Sequence, residues 1–298
     1  MLSYLHGFHA GNAADVLKHS VLVSCLTYLK KKEKPLLCVD THAGAGFYDL
    51  EGTWFSRNKE WENGIGRLLR EEQLPPMLAS YVKSCYADAS SIVPPAKRGY
   101  LGSPAIMARI LEAKDRLVCF ELHEREFEAL KTSLSEVQTK EGPCIEVRRE
   151  DGPGGLRSLL PPPSRRGLVF IDPSWEEQHE FESIPKAVRE GLKRFPEGTF
   201  IIWYPLLSLT KEKAAPSSTL ADTLFSLRAG KRCRAELRIS APGTGAGSEN
   251  SPRGMYGSGL VIYNPPWTLR SALEETLPVL TGILGDRGGS WRVDWDAS

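Results

Sequence analysis

Seven short apolar runs, set between stretches of helical periodicity, constrain this chain more than any other feature. They are Pro35 to Asp40, Leu117 to Glu121, Ile145 to Arg149, Leu168 to Ile171, Thr199 to Tyr204, Ala235 to Ile239 and Gly259 to Tyr263. Each is too short for a helix and reads as a buried strand. Glu124 to Val137 and Ile184 to Phe195 carry helical spacing between them. Alternation of this kind predicts an α/β sheet with a parallel core, because parallel neighbours need a crossover between them. The last two runs follow each other closely, which predicts an antiparallel hairpin at one edge.

Ahead of the first run, Asn12 can cap a helix with apolar positions Leu17, Val21, Leu22, Cys25, Leu26 and Leu29. A lysine run before Pro35 ends it, as the helix dipole prefers. The gap between the first and second strands far exceeds one crossover. Helical stretches within it, Gly64 to Glu72 and Leu78 to Tyr86, define an insertion over 48–96. The sheet domain then comprises 1–47 and 97–298. Lys211 to Thr219 and Ala241 to Pro252 read as mobile from their composition.

Composition excludes little. Hydrophobic content of 41% and charged content of 25% suit a globular chain. No apolar run approaches the roughly 20 residues of a membrane span, and no export signal is seen, so a cytoplasmic protein away from membranes is expected. The cysteines (Cys25, Cys38, Cys85, Cys119, Cys144 and Cys233) show no metal-ligand spacing, so no metal is expected and buried reduced thiols are. A net charge of +1 does not announce nucleic-acid binding. Basic residues nevertheless cluster at Lys30-Lys31-Lys32, Arg148-Arg149, Arg165-Arg166 and Lys231-Arg232-Arg234-Arg238, which together could form a phosphate groove.

The fourth strand ends in Asp172-Pro173-Ser174-Trp175. This is similar to the Asp/Asn-Pro-Pro-aromatic signature of enzymes that methylate exocyclic amines of nucleobases. Such an amine is a poor nucleophile, because its lone pair is delocalised into the ring. Asp172 can accept one amine N–H and the Pro173 carbonyl the other, with proline fixing the backbone. Trp175 can stack on the extruded base. Asn264-Pro265-Pro266-Trp267 is the cleaner textual match. Ligands bind at the carboxyl ends of strands near the point where strand order reverses. The Asp172 strand can lie there, beside the first, whereas the Asn264 strand comes late, is placed toward the sheet edge and is read as structural.

The first strand leads into the Gly-rich turn Thr41-His42-Ala43-Gly44-Ala45-Gly46. A full G-x-G-x-x-G fingerprint fails at Asp49, and no acid follows at the dinucleotide spacing. The second strand ends in Glu121, suited to ribose hydroxyls, and the third near Asp151-Gly152, suited to an adenine amine. This order fits S-adenosylmethionine better than a nicotinamide dinucleotide.

With these residues in view, the chain resembles the RlmJ family, which methylates an adenine N6 of 23S ribosomal RNA. The match runs through Met1 to Asn12, Asp15 to His19, Asp40 to Gly46, Gly102-Ser103-Pro104, Glu121-Leu122-His123, Asp151-Gly152, Arg165 to Leu168, Trp203-Tyr204-Pro205, and Gly259 with Asn264 to Trp267. The resemblance implies a Rossmann-like class I S-adenosylmethionine-dependent methyltransferase fold, a seven-stranded mostly parallel sheet with a helical insertion, acting on 23S ribosomal RNA; a monomer is expected. It implies cofactor contacts at His19, His42, Ser103, Glu121, Asp151, Gly152 and Asp172. Asp172 orients the target amine, Tyr4 contacts the RNA, and His6 and Lys18 lie near the catalytic face. The departure is Ser174, where the family has proline. It frees a backbone dihedral and leaves open an RNA-binding protein with weakened or lost catalysis.

Overall fold

A computed structural model describes residues 9–49, 59–85, 99–137, 141–207, 215–227, 230–241, 255–286 and 288–296. Helix α1 (Ala13–Leu29) starts at the expected cap, where the Asn12 side-chain oxygen accepts from the amides of Ala14 and Asp15. Unlike a surface helix with one apolar stripe, α1 is buried around most of its circumference. Asp15, Lys18 and His19 are thereby carried into the interior. Arg166 closes the far end by donating to the carbonyls of Leu29, Lys32 and Lys34.

The strands are β1 (Leu37–Asp40), β2 (Phe47–Asp49), β3 (Gly99–Leu101), β4 (Arg116–Phe120), β5 (Cys144–Arg148), β6 (Gly167–Ile171), β7 (Thr199–Leu207), β8 (Arg232–Arg238), β9 (Met255–Tyr263) and β10 (Ser290–Asp296). Eight form the main sheet, in the order β10-β8-β9-β7-β6-β1-β4-β5, while β2 and β3 pair separately. β5, β4, β1, β6 and β7 are parallel, and β9, β8 and β10 alternate in direction beyond them.

Two expectations change. The sheet has an eighth strand, β10, whose half-exposed side chains lack the apolar continuity of a buried strand. The β8–β9 hairpin is antiparallel as expected, but β9 lies inside the sheet, between β7 and β8, and β10 takes the edge.

The remaining helices are α2 (Ile65–Leu68), α3 (Pro76–Cys85), α4 (Ser103–Ile110), α5 (Glu124–Val137), α6 (Gly152–Leu159), α7 (Glu180–Arg194), α8 (Ala215–Ser226) and α9 (Leu269–Leu284). α1 packs with α4 and α9, and α4 with α5; α6 packs with α7, and α7 with α8. These two groups give the doubly wound arrangement. Within 48–96, α3 packs on α1 and α9, and Ile65, Leu78 and Tyr81 join the same core as Leu17 and Val21. α8 begins at Ala215, inside the stretch read as mobile, while 211–214 and 242–252 lie outside the described residues. Five cysteines are buried, but Cys144, on edge strand β5, is exposed, contrary to the expectation. Among the described residues no helix is long and apolar enough to cross a membrane.

Candidate active site

From β1 the chain crosses over to β4, on one side, while β6 lies on the other, so the reversal point falls between β1 and β6. Asp40 ends β1 and Asp172 directly follows β6. The two carboxylates therefore share the carboxyl end of neighbouring parallel strands. Backbone bonds stitch this end together: Thr41 N to Phe170 O at 3.1 Å, Ala43 N to Phe120 O at 2.9 Å, and Glu121 N to Arg148 O at 3.1 Å.

α1 delivers Lys18 to this point. Its ammonium lies 2.6 Å from Asp172 Oδ2 and 2.8 Å from Asp15 Oδ1, and 5.2 Å from the centre of the Trp203 ring. Lys18 is 3% exposed and Asp15 1%. A buried charge needs close compensation, and here one cation is set between two carboxylates. Asp15 Oδ2 also accepts from Gly11 N at 2.7 Å, tying α1 to the segment before it. Trp203 Nε1 is buried without an acceptor.

Pro173 is buried behind Asp172. Trp175 departs from the expectation of an open stacking face. It is 6% exposed, with Nε1 donating to Trp203 O at 3.1 Å and its ring 5.2 Å from that of Phe181. A φ of 56° turns the chain at Trp175 and brings the indole against the middle of β7. The Ser174 hydroxyl accepts from Glu176 N and donates to Glu180 Oε2, both at 3.4 Å.

On the other side, Gly44 (φ 59°) and Gly46 (φ 76°) make the turn that follows β1. Glu121 holds it, accepting from Gly44 N at 2.9 Å and His123 N at 2.7 Å. Burial pushes the Glu121 carboxyl up, against those two donors. Burial also raises Asp40 to about 7, despite hydrogen bonds from Ser103 and the His42 amide. Asp40 Oδ2 is buried without a partner. His42, with Nδ1 2.8 Å from Thr41 Oγ1, is lowered by burial to about 4 and stays neutral near pH 7. Ser103 opens α4.

Asp151 caps α6 through Gly154 N at 2.8 Å. A Cβ on Gly152 would meet Thr41 O at 2.2 Å, so only glycine lets this helix approach the turn. A cavity of about 510 Å³ opens beside His42, Asp151, Arg157, Glu180 and Lys186. His19 Nδ1 lies 2.6 Å from the Tyr100 hydroxyl, itself 3.1 Å from that of Tyr81. Lys18, His42, Ser103, Glu121, Asp151, Gly152 and Asp172 thus gather around one end of the sheet. Tyr4 and His6 lie outside the described residues.

Asn264 lies at the opposite pole, because β9 runs antiparallel to β7 and its carboxyl end meets the amino ends of β6 and β7. The basic clusters do not form one groove. Lys30 faces Asp115, Arg148 faces Glu146, Arg149 faces Glu124, Arg165 faces Glu197, Arg232 faces Asp296, Arg234 faces Asp294 and Arg238 faces Glu236.

Asp15, Asp40 and Trp203 fall within stretches that carry the family resemblance, but sequence reasoning assigned them no role of their own. An acid ending β1 was a signal for Asp40. The i, i+3 spacing of Asp15 and Lys18 on a helix with few other charges was one for Asp15. Nothing local marked Trp203.

A family model described as "Ribosomal RNA large subunit methyltransferase D, RlmJ" matches residues 33–297. The chain is 38% identical to "Ribosomal RNA large subunit methyltransferase J" of Haemophilus influenzae over 300 residues, covering 99% of each. It is 36% identical to the Escherichia coli protein of the same name over 297 residues, again covering 99% of each. A crystal structure of a Legionella pneumophila protein superposes with a TM-score of 0.80 at 32% identity, over 96% of this chain and 98% of that one.

Proposed function

The chain belongs to the RlmJ family of large-subunit ribosomal RNA methyltransferases, and from that premise we propose that it methylates the N6 amine of an adenine in 23S ribosomal RNA. The methyl donor is S-adenosylmethionine, and the work is done in the cytoplasm, where ribosomal RNA matures. The observation that carries the reading is Asp172, placed at the reversal point of the sheet with one carboxylate oxygen fixed by Lys18.

The residues present fit the cofactor. S-adenosylmethionine, when bound, supplies an electrophilic methyl group on a cationic sulfur. Asp40, with its unpartnered buried Oδ2, offers a negative group to its cationic end. Glu121 would accept from the ribose hydroxyls, and Asp151 with Gly152 would face the adenine edge. His42, Ser103 and His19 would line the rest. Leu122, 50% exposed beside Glu121, offers an apolar face. The close approach of Gly152 to Thr41 keeps the cradle free of side chains.

Asp172 acts by position. Lys18 binds Oδ2 and leaves Oδ1 to accept one amine N–H, with the Pro173 carbonyl accepting the other. Both bonds push the nitrogen toward a tetrahedral geometry with its lone pair available. The amine loses its proton readily once methylated, so no strong base is required. Trp175 serves by anchoring this turn to β7. Tyr4 and His6 are proposed to meet the RNA.

The reading with lost catalysis is less well supported. The Ser174 hydroxyl bonds within its own turn, and Asp172 keeps its partner despite the missing proline.

The test is transfer of labelled methyl to deproteinised 23S ribosomal RNA, with Asp172→Ala as control. Incorporation is expected from the unmodified chain alone, with S-adenosylmethionine raising the melting temperature of both and NADH of neither. Turnover retained by Asp172→Ala would remove Asp172 from the mechanism.

A further inference from the structure

At the pole opposite Asp172, Asn264 is clamped by its own side chain, with Nδ2 donating to Pro196 O and Gly198 O, both at 2.7 Å. Pro265 and Pro266 are buried. The turn thus holds Trp267 outward, 75% exposed, more than any other large hydrophobic side chain among the described residues. A groove of about 400 Å³ runs beneath it, lined by Tyr28, Leu29, Lys231, Pro266, Arg270 and Trp295.

Both charged side chains lining the groove are cationic. Most members of the sequence's basic clusters are spent on carboxylates, and Arg166 on the end of α1. Lys31, Lys32 and Lys231 have no carboxylate partner among the described residues, and of these Lys31 and Lys231 stand here. Lys31 lies 5.6 Å over the ring of Tyr28, and Lys231 O accepts from Asn264 N at 2.7 Å. The Arg270 pair with Glu274 is solvent-exposed, so a phosphate can compete for it.

We propose that this groove binds single-stranded RNA, with a base stacked on Trp267 and phosphates on Lys31, Lys231 and Arg270. Aromatic platforms interleaved with cations suit that ligand, since every base has a face and every nucleotide a charge. A protein interface favours a core depleted in lysine and acid, with an apolar centre. The inference rests on the RNA methyltransferase reading, and places the groove on a flanking segment of the same RNA. The five-residue β6 separates the poles by about 17 Å plus the turns at each end.

The test combines Trp267→Ala with Lys231→Glu; both side chains are exposed, so the core is untouched. Lys231→Glu alone is the second variant. Binding of a single-stranded oligoribonucleotide of about 12 nucleotides is measured by fluorescence and filter retention at several salt concentrations. Transfer kinetics on 23S ribosomal RNA are measured alongside. The double variant is expected to bind roughly tenfold more weakly, with the salt slope reduced by about one. KM for RNA rises while kcat, melting temperature and S-adenosylmethionine affinity hold. Unchanged oligonucleotide affinity and KM would overturn the proposal and point to a protein partner. If the unmodified chain methylates no RNA yet the variant loses oligonucleotide binding, the groove survives and the catalytic reading fails.

Discussion

Two turns of this molecule share one pattern, an Asp or Asn followed by proline and, two residues later, tryptophan. Each follows a strand of the same sheet, and each contains one residue with positive φ, Trp175 at 56° and Asn264 at 49°. Their roles diverge because their strands run in opposite directions. Parallel β6 delivers Asp172 to the end where β1 opens into the glycine turn and β4 presents Glu121 to it. Antiparallel β9 delivers Asn264 to the other end, among the amino termini of the parallel strands. At the first turn the acid meets a buried cation and the tryptophan is interior. At the second the amide is consumed by backbone carbonyls and the tryptophan faces water. A tetrapeptide acquires chemistry only from the pole at which it is set down.

The largest expected effect separates the two turns. Asp172→Asn should cut kcat by about 10²–10³-fold, the scale for losing one oriented catalytic group, and should also lower the melting temperature, because buried Lys18 is left with Asp15 as its carboxylate. Asn264→Ala should leave kcat intact while costing about 2 kcal/mol, since two carbonyls lose their donor. Equal kinetic damage at both turns would break the comparison.

Asp15→Asn asks whether the first turn depends on the buried cation. The amide oxygen can still accept from Gly11 N, while the amide nitrogen no longer attracts Lys18. A fall in kcat of roughly ten- to hundredfold is expected, from misplacement of Asp172. In a Lys18→Met background, Asp15→Asn should add nothing further; a full multiplicative loss would show that Asp15 acts by another route.

A pH scan probes the same end of the sheet. In the fold Asp40 is raised from 3.8 to about 7. The unfolded chain releases this proton first, so stability from Asp40 is full below about pH 4 and is lost as pH rises through 7. Asp40→Asn removes that loss, and its melting temperature relative to the unmodified chain should be higher at pH 8 than at pH 5. A constant difference would mean that Asp40 titrates alike in both states.

Smaller effects sharpen the contrast between the tryptophans. Trp175→Phe should cost about 1 kcal/mol, through the lost bond to Trp203 O, whereas Trp267→Phe should leave melting unchanged. Ser174→Pro should alter kcat least, because the hydroxyl contacts it removes are long.

Much of the parallel core was legible because its signals are local. Short apolar runs and the crossover rule place β6 beside β1, and Asn12 announces α1 by its capping chemistry. The limits were equally physical. β10 carries Trp291, Val293 and Trp295 in alternation, but on a half-exposed edge that pattern is faint. The position of β9 inside the sheet depended on pairing with β7 on one side and β8 on the other, with β10 added beyond β8, which no local property of β9 records. Arg165 and Arg166 read as one basic pair, yet Arg165 meets Glu197 and Arg166 caps α1.

The sequence by itself determined the fold class, the strand that ends in Asp172, the glycine turn and the acid at Glu121. Each rests on residues adjacent in the chain, where periodicity and backbone restriction act. Tertiary structure alone decided that α1 is buried around most of its circumference, so that Asp15, Lys18 and Asp172 form one charge cluster. It also decided which tryptophan is hidden and which is exposed. Burial and charge pairing are set by what packs from elsewhere in the chain, and the direction of a strand within its sheet is fixed only when its neighbours are in place.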